Sequence, residues 1–82
     1  MTIREEVIDA LKKKAAELFG VKAEQLSAET RFEEDLGATS IQYVQFSTVL
    51  EMIYDIEVPY MEFRRLKTFA EAADYMAEKV GE

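Results

Sequence analysis

The chain contains no cysteine, no histidine and no tryptophan. Without cysteine there is no disulfide, no thiolate nucleophile and no thiolate metal ligand. Without histidine the commonest general base and the commonest metal-binding side chain are both missing, so self-contained acid–base or metal catalysis is not expected. One proline (Pro59) and three glycines leave little backbone punctuation. No apolar run approaches the ~20 residues that a membrane span needs, and the N-terminus opens a charged amphipathic pattern rather than a signal peptide. A cytoplasmic location is the expectation. The 82 residues make one domain, 1–82, expected to be monomeric, with no repeat, low-complexity tract or linker. A domain this small buries roughly 60% of its unfolded surface.

What is present is charge of one sign in one place. The formal net charge is −7. Between Phe32 and Phe63 stand seven acids (Glu33, Glu34, Asp35, Glu51, Asp55, Glu57, Glu62) and no lysine or arginine, whereas acids and bases balance outside that stretch. Such a field disfavours nucleic acid and anionic membrane and favours protein partners with basic patches. A solvated acidic surface that keeps a small protein in solution is the plainer alternative.

The periodicity predicts an all-α chain. From Thr2 to Phe19, Ile3, Val7, Leu11, Ala15, Leu18 and Phe19 recur at helical spacing, Thr2 and Glu5 form a capping-box pattern, and Gly20 suits the residue past the helix end. Lys12, Lys13 and Lys14 are expected on a solvated face of this helix. Residues 21–38 read as a long loop pinned by Val21, Leu26, Phe32 and Leu36, and a loop this long in a small domain is usually functional or folded onto itself. A second helix is expected to start after Thr39, capped reciprocally with Gln42, and to run to about Tyr54 with Ile41, Val44, Thr48, Leu50 and Ile53 facing inward. A short helix or turn carrying Met61, Phe63 and Leu66 should follow Pro59. A last helix should start at Thr68, with Glu71 completing a capping box, and should bury Phe69, Ala72, Ala73, Met76 and Val80 before Gly81. The result is a small four-helix bundle, three helices long and one short, with a long loop between the first two.

The stretch Asp35-Leu36-Gly37-Ala38-Thr39-Ser40-Ile41 resembles the prosthetic-group site of acyl carrier proteins. Leu50-Glu51, Ile56-Glu57-Val58-Pro59, Lys67-Thr68-Phe69 and Ala73-Asp74-Tyr75 resemble later segments of that family without gaps, so the resemblance covers nearly the whole chain. It implies that Ser40 is modified by a phosphopantetheinyl transferase with 4'-phosphopantetheine from coenzyme A, and that Asp35, Leu36, Gly37, Thr39 and Ile41 frame the attachment site. It also implies that the arm carries acyl groups as thioesters to acyl-loading, acyl-transfer or condensing enzymes, while the carrier catalyses nothing. A residue at a helix start sits beside unsatisfied N–H groups and the positive end of the helix dipole, which suits a phosphodiester. Gly37 lets the loop turn before the serine. Glu33, Glu34 and Asp35 are read as a solvated loop with at most weak ion binding, since no EF-hand spacing is present.

The sequence departs from that family on its second helix. Thr39 stands where the family has an acid, and Gln42, Gln45, Met52 and Ile53 stand at the positions of its acidic second-helix face, with Glu51 the one acid left. With Tyr43 and Met52 expected to be exposed, the partner-binding face formed by Gln42, Tyr43, Gln45, Glu51 and Met52 depends less on charge than in fatty-acid carriers. Poor recognition by the general fatty-acid synthesis enzymes is then expected, and a dedicated pathway, such as a specialised lipid, polyketide or peptide product. Phe46, Leu50, Leu66, Phe69 and Met76 are first of all core, and they are also the candidates for lining an acyl space between helices. A peptidyl or D-alanyl type carrier shares the serine site, and a non-acylated helical adaptor remains a rival.

Overall fold

The computed structural model describes residues 1–81; Glu82 lies outside the described residues. Four helices appear: α1 (Ile3–Phe19), α2 (Ser40–Tyr54), the short α3 (Tyr60–Phe63) and α4 (Phe69–Val80). A single 3-10 turn at Ala23–Gln25 interrupts the long loop. Among the described residues there is no β-strand, only an isolated antiparallel bridge between Arg31 and Thr68.

Each long helix begins where its capping residue stands. Thr2 Oγ1 accepts the Glu5 N–H at 3.2 Å while Glu5 Oε1 accepts the Thr2 N–H at 2.9 Å. Thr39 and Gln42 do the same for α2, at 3.3 and 2.8 Å. The box expected at α4 closes differently. Thr68 Oγ1 accepts the Glu71 N–H, but the Glu71 carboxylate reaches one residue further, to the Lys67 N–H at 3.2 Å. Gly20 closes α1 at φ +70°, and Asp55, not a glycine, closes α2 at φ +53°. Lys13 and Lys14 pair with Asp9 and Glu17 on their own helix, but only Lys13 stands on a solvated face, the Lys14 side chain being 20% exposed.

Phe32, from the loop, is the hub of the core. Its ring centroid lies 5.3 Å from Tyr43, 5.1 Å from Phe46, 5.6 Å from Phe63 and 5.0 Å from Phe69. One loop residue therefore joins α2, α3 and α4. Val7, Leu11 and Ala15 of α1 and Ala72, Ala73 and Met76 of α4 complete the interior. The loop is fixed by backbone bonds too: the Phe32 N–H donates to Lys67 C=O, and Phe69 and Ala70 donate to Thr30 and Ala28 C=O at 3.0 and 2.8 Å.

The rotation of α2 about its axis differs from the sequence expectation. Tyr43, Phe46, Ser47 and Leu50 face inward, whereas Ile41, Val44, Thr48 and Ile53 face water. The helix is apolar on opposite sides, so spacing alone admits either phase. The aromatic phase prevails because Tyr43 and Phe46 bury more area than Ile41 and Val44 and join the ring cluster around Phe32. Ser47 tolerates burial by donating its hydroxyl to Val44 C=O at 2.8 Å. Met61 on α3 also turns outward, while Phe63 is buried.

Candidate functional site

The sequence-predicted attachment segment forms one tight structure before α2. The Arg31 side chain bonds Glu34 and Asp35, and the Arg31 N–H donates to Asp35 Oδ2 at 2.8 Å. These bonds hold the Asp35 carboxyl below its ordinary range, the side-chain bond from Arg31 first. Leu36 is half-buried, and Gly37 turns the chain at φ +67°. A Cβ on Gly37 would meet nothing within 4 Å, so the glycine is required by the dihedral and not by space. Ala38 is buried, its N–H returning to Phe32 C=O at 2.9 Å. Tying the loop at Phe32 and the helix at Thr39 leaves Ser40 as the first helical residue.

Ser40 is exposed, and its hydroxyl has no hydrogen-bond partner among the described residues. Because Thr39 and Gln42 cap each other, the serine is free of the capping role. The Ser40 and Ile41 amides have no protein acceptor, and no acidic residue stands in the first turn of α2 to offset the helix dipole. The site is therefore a free hydroxyl beside two open N–H donors at the positive end of a helix, which fits a serine-linked phosphodiester.

The expected partner-binding residues separate. Met52 is 79% exposed and Gln45 partly so, but Tyr43, expected to be exposed, is buried in the ring cluster. Gln42 is engaged in its cap. The Glu51 carboxylate accepts the Val58 N–H at 2.7 Å, bracing the α2–α3 connection instead of standing free. Two exposed apolar residues escaped the sequence reading as surface, Val44 and Met61, and Ile53, read both as inward and as part of the partner-facing side with Met52, is exposed. Ile41, placed inward by its spacing, is 73% exposed directly beside Ser40. The outer face of α2 thus carries Ile41, Val44, Met52 and Ile53 with no charge between them. Phe46, Leu50, Phe69 and Met76 lie in the core, and Leu66 is half-exposed.

A cleft of about 460 Å³ opens beside the site, lined by Arg31, Glu33, Glu34, Tyr43, Arg64, Arg65, Leu66 and Lys67. The Arg64 guanidinium covers the Tyr43 ring at 4.4 Å and bonds Glu33 at 3.3 Å. Burial pushes the Tyr43 phenol above its ordinary value, with Arg64 acting against that rise. The sequence reading passed over this cleft, although the basic cluster at 64–67, directly after a stretch without one basic residue, was its visible signal. Among the described residues no group of three or more acidic, histidine or cysteine side chains is gathered to hold a metal ion. Glu33, Glu34 and Asp35 each turn to an arginine instead. Among those residues, too, no helix is long and apolar enough to cross a membrane.

A family model for the phosphopantetheine attachment site matches residues 9–76. Among solved structures, the acyl carrier protein from Enterococcus faecalis is similar over 95% of this chain and 98% of that one, with 29% sequence identity and a TM-score of 0.74.

Proposed function

The chain belongs to the phosphopantetheine attachment family, whose members carry 4'-phosphopantetheine covalently, and we propose that within it this is an acyl carrier protein with Ser40 as the attachment residue. The observation that carries the reading is the exposed, unbonded Ser40 hydroxyl at the first position of α2, beside the open Ser40 and Ile41 amides. When attached, the group supplies the thiol that this cysteine-free chain lacks, on which acyl groups travel as thioesters. The chain's own residues position and shelter it. Thr39 and Gln42 fix the helix start, Gly37 turns the loop before the serine, and the Ser40 and Ile41 N–H groups, which have no protein acceptor, would be the donors to a phosphodiester held there. Catalysis belongs to the partners: a phosphopantetheinyl transferase, then loading, transfer or condensing enzymes.

The uncharged outer face of α2 supports partners that dock through apolar contact at Ile41, Val44, Gln45, Met52 and Ile53 more than through a basic patch. A dedicated lipid, polyketide or peptide pathway in the cytoplasm, served by a monomeric carrier, fits that face better than general fatty-acid synthesis. Exchanging Gln42 and Gln45 for glutamate should then improve loading by a general fatty-acid synthase.

The test is intact mass after incubation with coenzyme A and a broad-specificity transferase. Ser40 Oγ forms the new bond to phosphorus as the pyrophosphate P–O bond of coenzyme A breaks, releasing adenosine 3',5'-bisphosphate and the hydroxyl proton. The parent should gain one phosphopantetheine, and Ser40→Ala none. A gain that survives in Ser40→Ala would move the site elsewhere. No gain in protein recovered from its native cells would favour a non-acylated adaptor.

A further inference from the structure

We propose that Met61, Arg65, Leu66 and Lys67 form a docking surface for a protein partner that presents carboxylates, the opposite polarity to the basic partner patches that the acidic stretch 32–63 favours. This surface is independent of the arm on Ser40 and goes beyond the carrier reading.

Charge left over after local pairing marks the surface. Arg64, Arg65 and Lys67 follow directly on a stretch with no basic residue, in a chain of net charge −7. The acids near them are engaged elsewhere. Glu34 and Asp35 are bound to Arg31, and Glu33 accepts from Arg64 at 3.3 Å. Arg64 also lies over the Tyr43 ring. Glu62 stands three residues before Arg65, a spacing at which the two could pair. Its carboxylate turns to α4 instead, where it accepts the Tyr75 hydroxyl and lies 3.7 Å from Lys79 Nζ. The Glu62 carboxyl is accordingly lowered by the Tyr75 bond first and by Arg65 last. Arg65 and Lys67, both exposed, have no ion-pair partner among the described residues.

Apolar contact is available beside these two cations. Met61 is 74% exposed one helical turn before Arg65, and the half-buried Leu66 stands between Arg65 and Lys67 in the chain. A methionine adapts to an irregular partner surface.

Carboxylates on a protein fit this surface better than a phosphate polymer or a lipid bilayer does. At physiological ionic strength charges act over about 8 Å, so a few carboxylates opposite Arg65 and Lys67 are attracted locally. Nucleic acid or an anionic bilayer would also bring negative charge against Glu33 and Glu34, which line the same cleft, and the net charge of −7 opposes its approach. A protein can set neutral or basic groups opposite those acids.

The experiment titrates the whole chain with a short capped peptide of glutamates flanking a central leucine and follows backbone amide shifts. Glutamine and lysine versions of the peptide serve as comparisons. The glutamate peptide should shift Met61 and residues 65–67 in a saturable, salt-sensitive way, and the other two should not. Arg65→Gln with Lys67→Gln should bind it roughly tenfold more weakly, since two exposed ion pairs are lost, while amide shifts elsewhere show the fold kept. Lys13→Gln, on a solvated part of α1, should bind as the parent does. So should Ser40→Ala, which separates this outcome from the fate of the carrier reading. Equal responses to the glutamate and glutamine peptides, glutamate shifts confined to other residues, or a stronger response of residues 65–67 to the lysine peptide would overturn the inference. Tighter binding of oligothymidylate or of phosphatidylglycerol vesicles at the same residues would overturn it too, by assigning the surface to phosphate.

Discussion

The N-termini of α2 and α4 are built from the same parts and finished differently. Each has a threonine cap that accepts the N–H three residues on. At α4 the next two amides, Phe69 and Ala70, donate to loop carbonyls, so that end is closed by protein. At α2 the corresponding amides, Ser40 and Ile41, are left open. Helix ends cost stability when their N–H groups lack partners in a buried setting, and at an exposed end water fills the role. The open end is thus cheap to keep and available for a phosphodiester. The closed end fixes the loop that delivers Ser40. The helix bodies differ in parallel: α4 turns its apolar stripe inward, and α2 keeps a second one facing water.

Phe32 is where the two helices share one support, so its loss should have the largest effect. Phe32→Ala removes a ring touching Tyr43, Phe46, Phe63 and Phe69, and buried Phe→Ala changes cost about 3–5 kcal/mol. Native domains hold about 5–15 kcal/mol in total, so urea unfolding should show a domain near its limit. A loss under about 1 kcal/mol would mean that the core relaxes around the gap and that the loop is not its hub.

Much of the difference between these helices is legible in sequence, and the illegible part has a physical cause. Thr2, Thr39 and Thr68 mark the long-helix starts because capping is a local bond between residues three apart. The α4 stripe of Phe69, Ala72, Ala73 and Met76 is readable because its other face is polar. The phase of α2 is not readable by spacing, because Ile41 and Val44 on one side compete with Tyr43, Phe46 and Leu50 on the other. Only the partners across the core, chiefly Phe32 and Phe63, decide between them. For the same reason Tyr43 reads as surface in the sequence and as core in the structure. The engagement of Glu51 by Val58 and the cleft at residues 64–67 depend on contacts between separate segments, which composition does not encode.

The other end of each helix sharpens the comparison. Glu51, the sole ionisable acid of α2, spends its carboxylate on the Val58 N–H in a partly buried setting. Glu51→Gln weakens a charge-assisted bond and Glu51→Ala removes it, so the alanine change should cost about 1.5–3 kcal/mol and the glutamine change less. Chemical denaturation gives both values. Equal, negligible losses would mean that Pro59 and the buried Val58 hold the α2–α3 turn unaided.

The helices also differ in their last residue. α4 ends on Gly81 at φ +95° and α2 on Asp55 at φ +53°. An aspartate there adopts a left-handed conformation and places its negative charge at the negative end of the helix dipole. Asp55→Gly makes α2 end as α4 does, and it should stabilise the protein by about 0.5–1 kcal/mol. A lower melting temperature would show instead that the Asp55 side chain supports the turn in a way its dihedral does not reveal.

The smallest effect concerns Arg31, which joins the two N-termini. Its backbone bridges Thr68 at α4, and its side chain holds Asp35 ahead of α2. The Asp35 carboxyl is lowered by the Arg31 side-chain bond first and the Arg31 N–H next. A carboxyl whose folded pKa is depressed stabilises the fold above its unfolded value and ceases to do so as pH falls through the folded value. The Arg31–Asp35 contribution should therefore be intact at neutral pH and disappear well into acid. Both groups are exposed, so the effect on stability is small, and carboxyl titration followed by NMR is the better measurement. In Arg31→Gln the Asp35 midpoint should rise toward its ordinary range, by less than full recovery because the backbone N–H still donates. An unchanged midpoint would assign the depression to that N–H alone, and the bond linking the closed helix end to the open one would then be carried by the main chain.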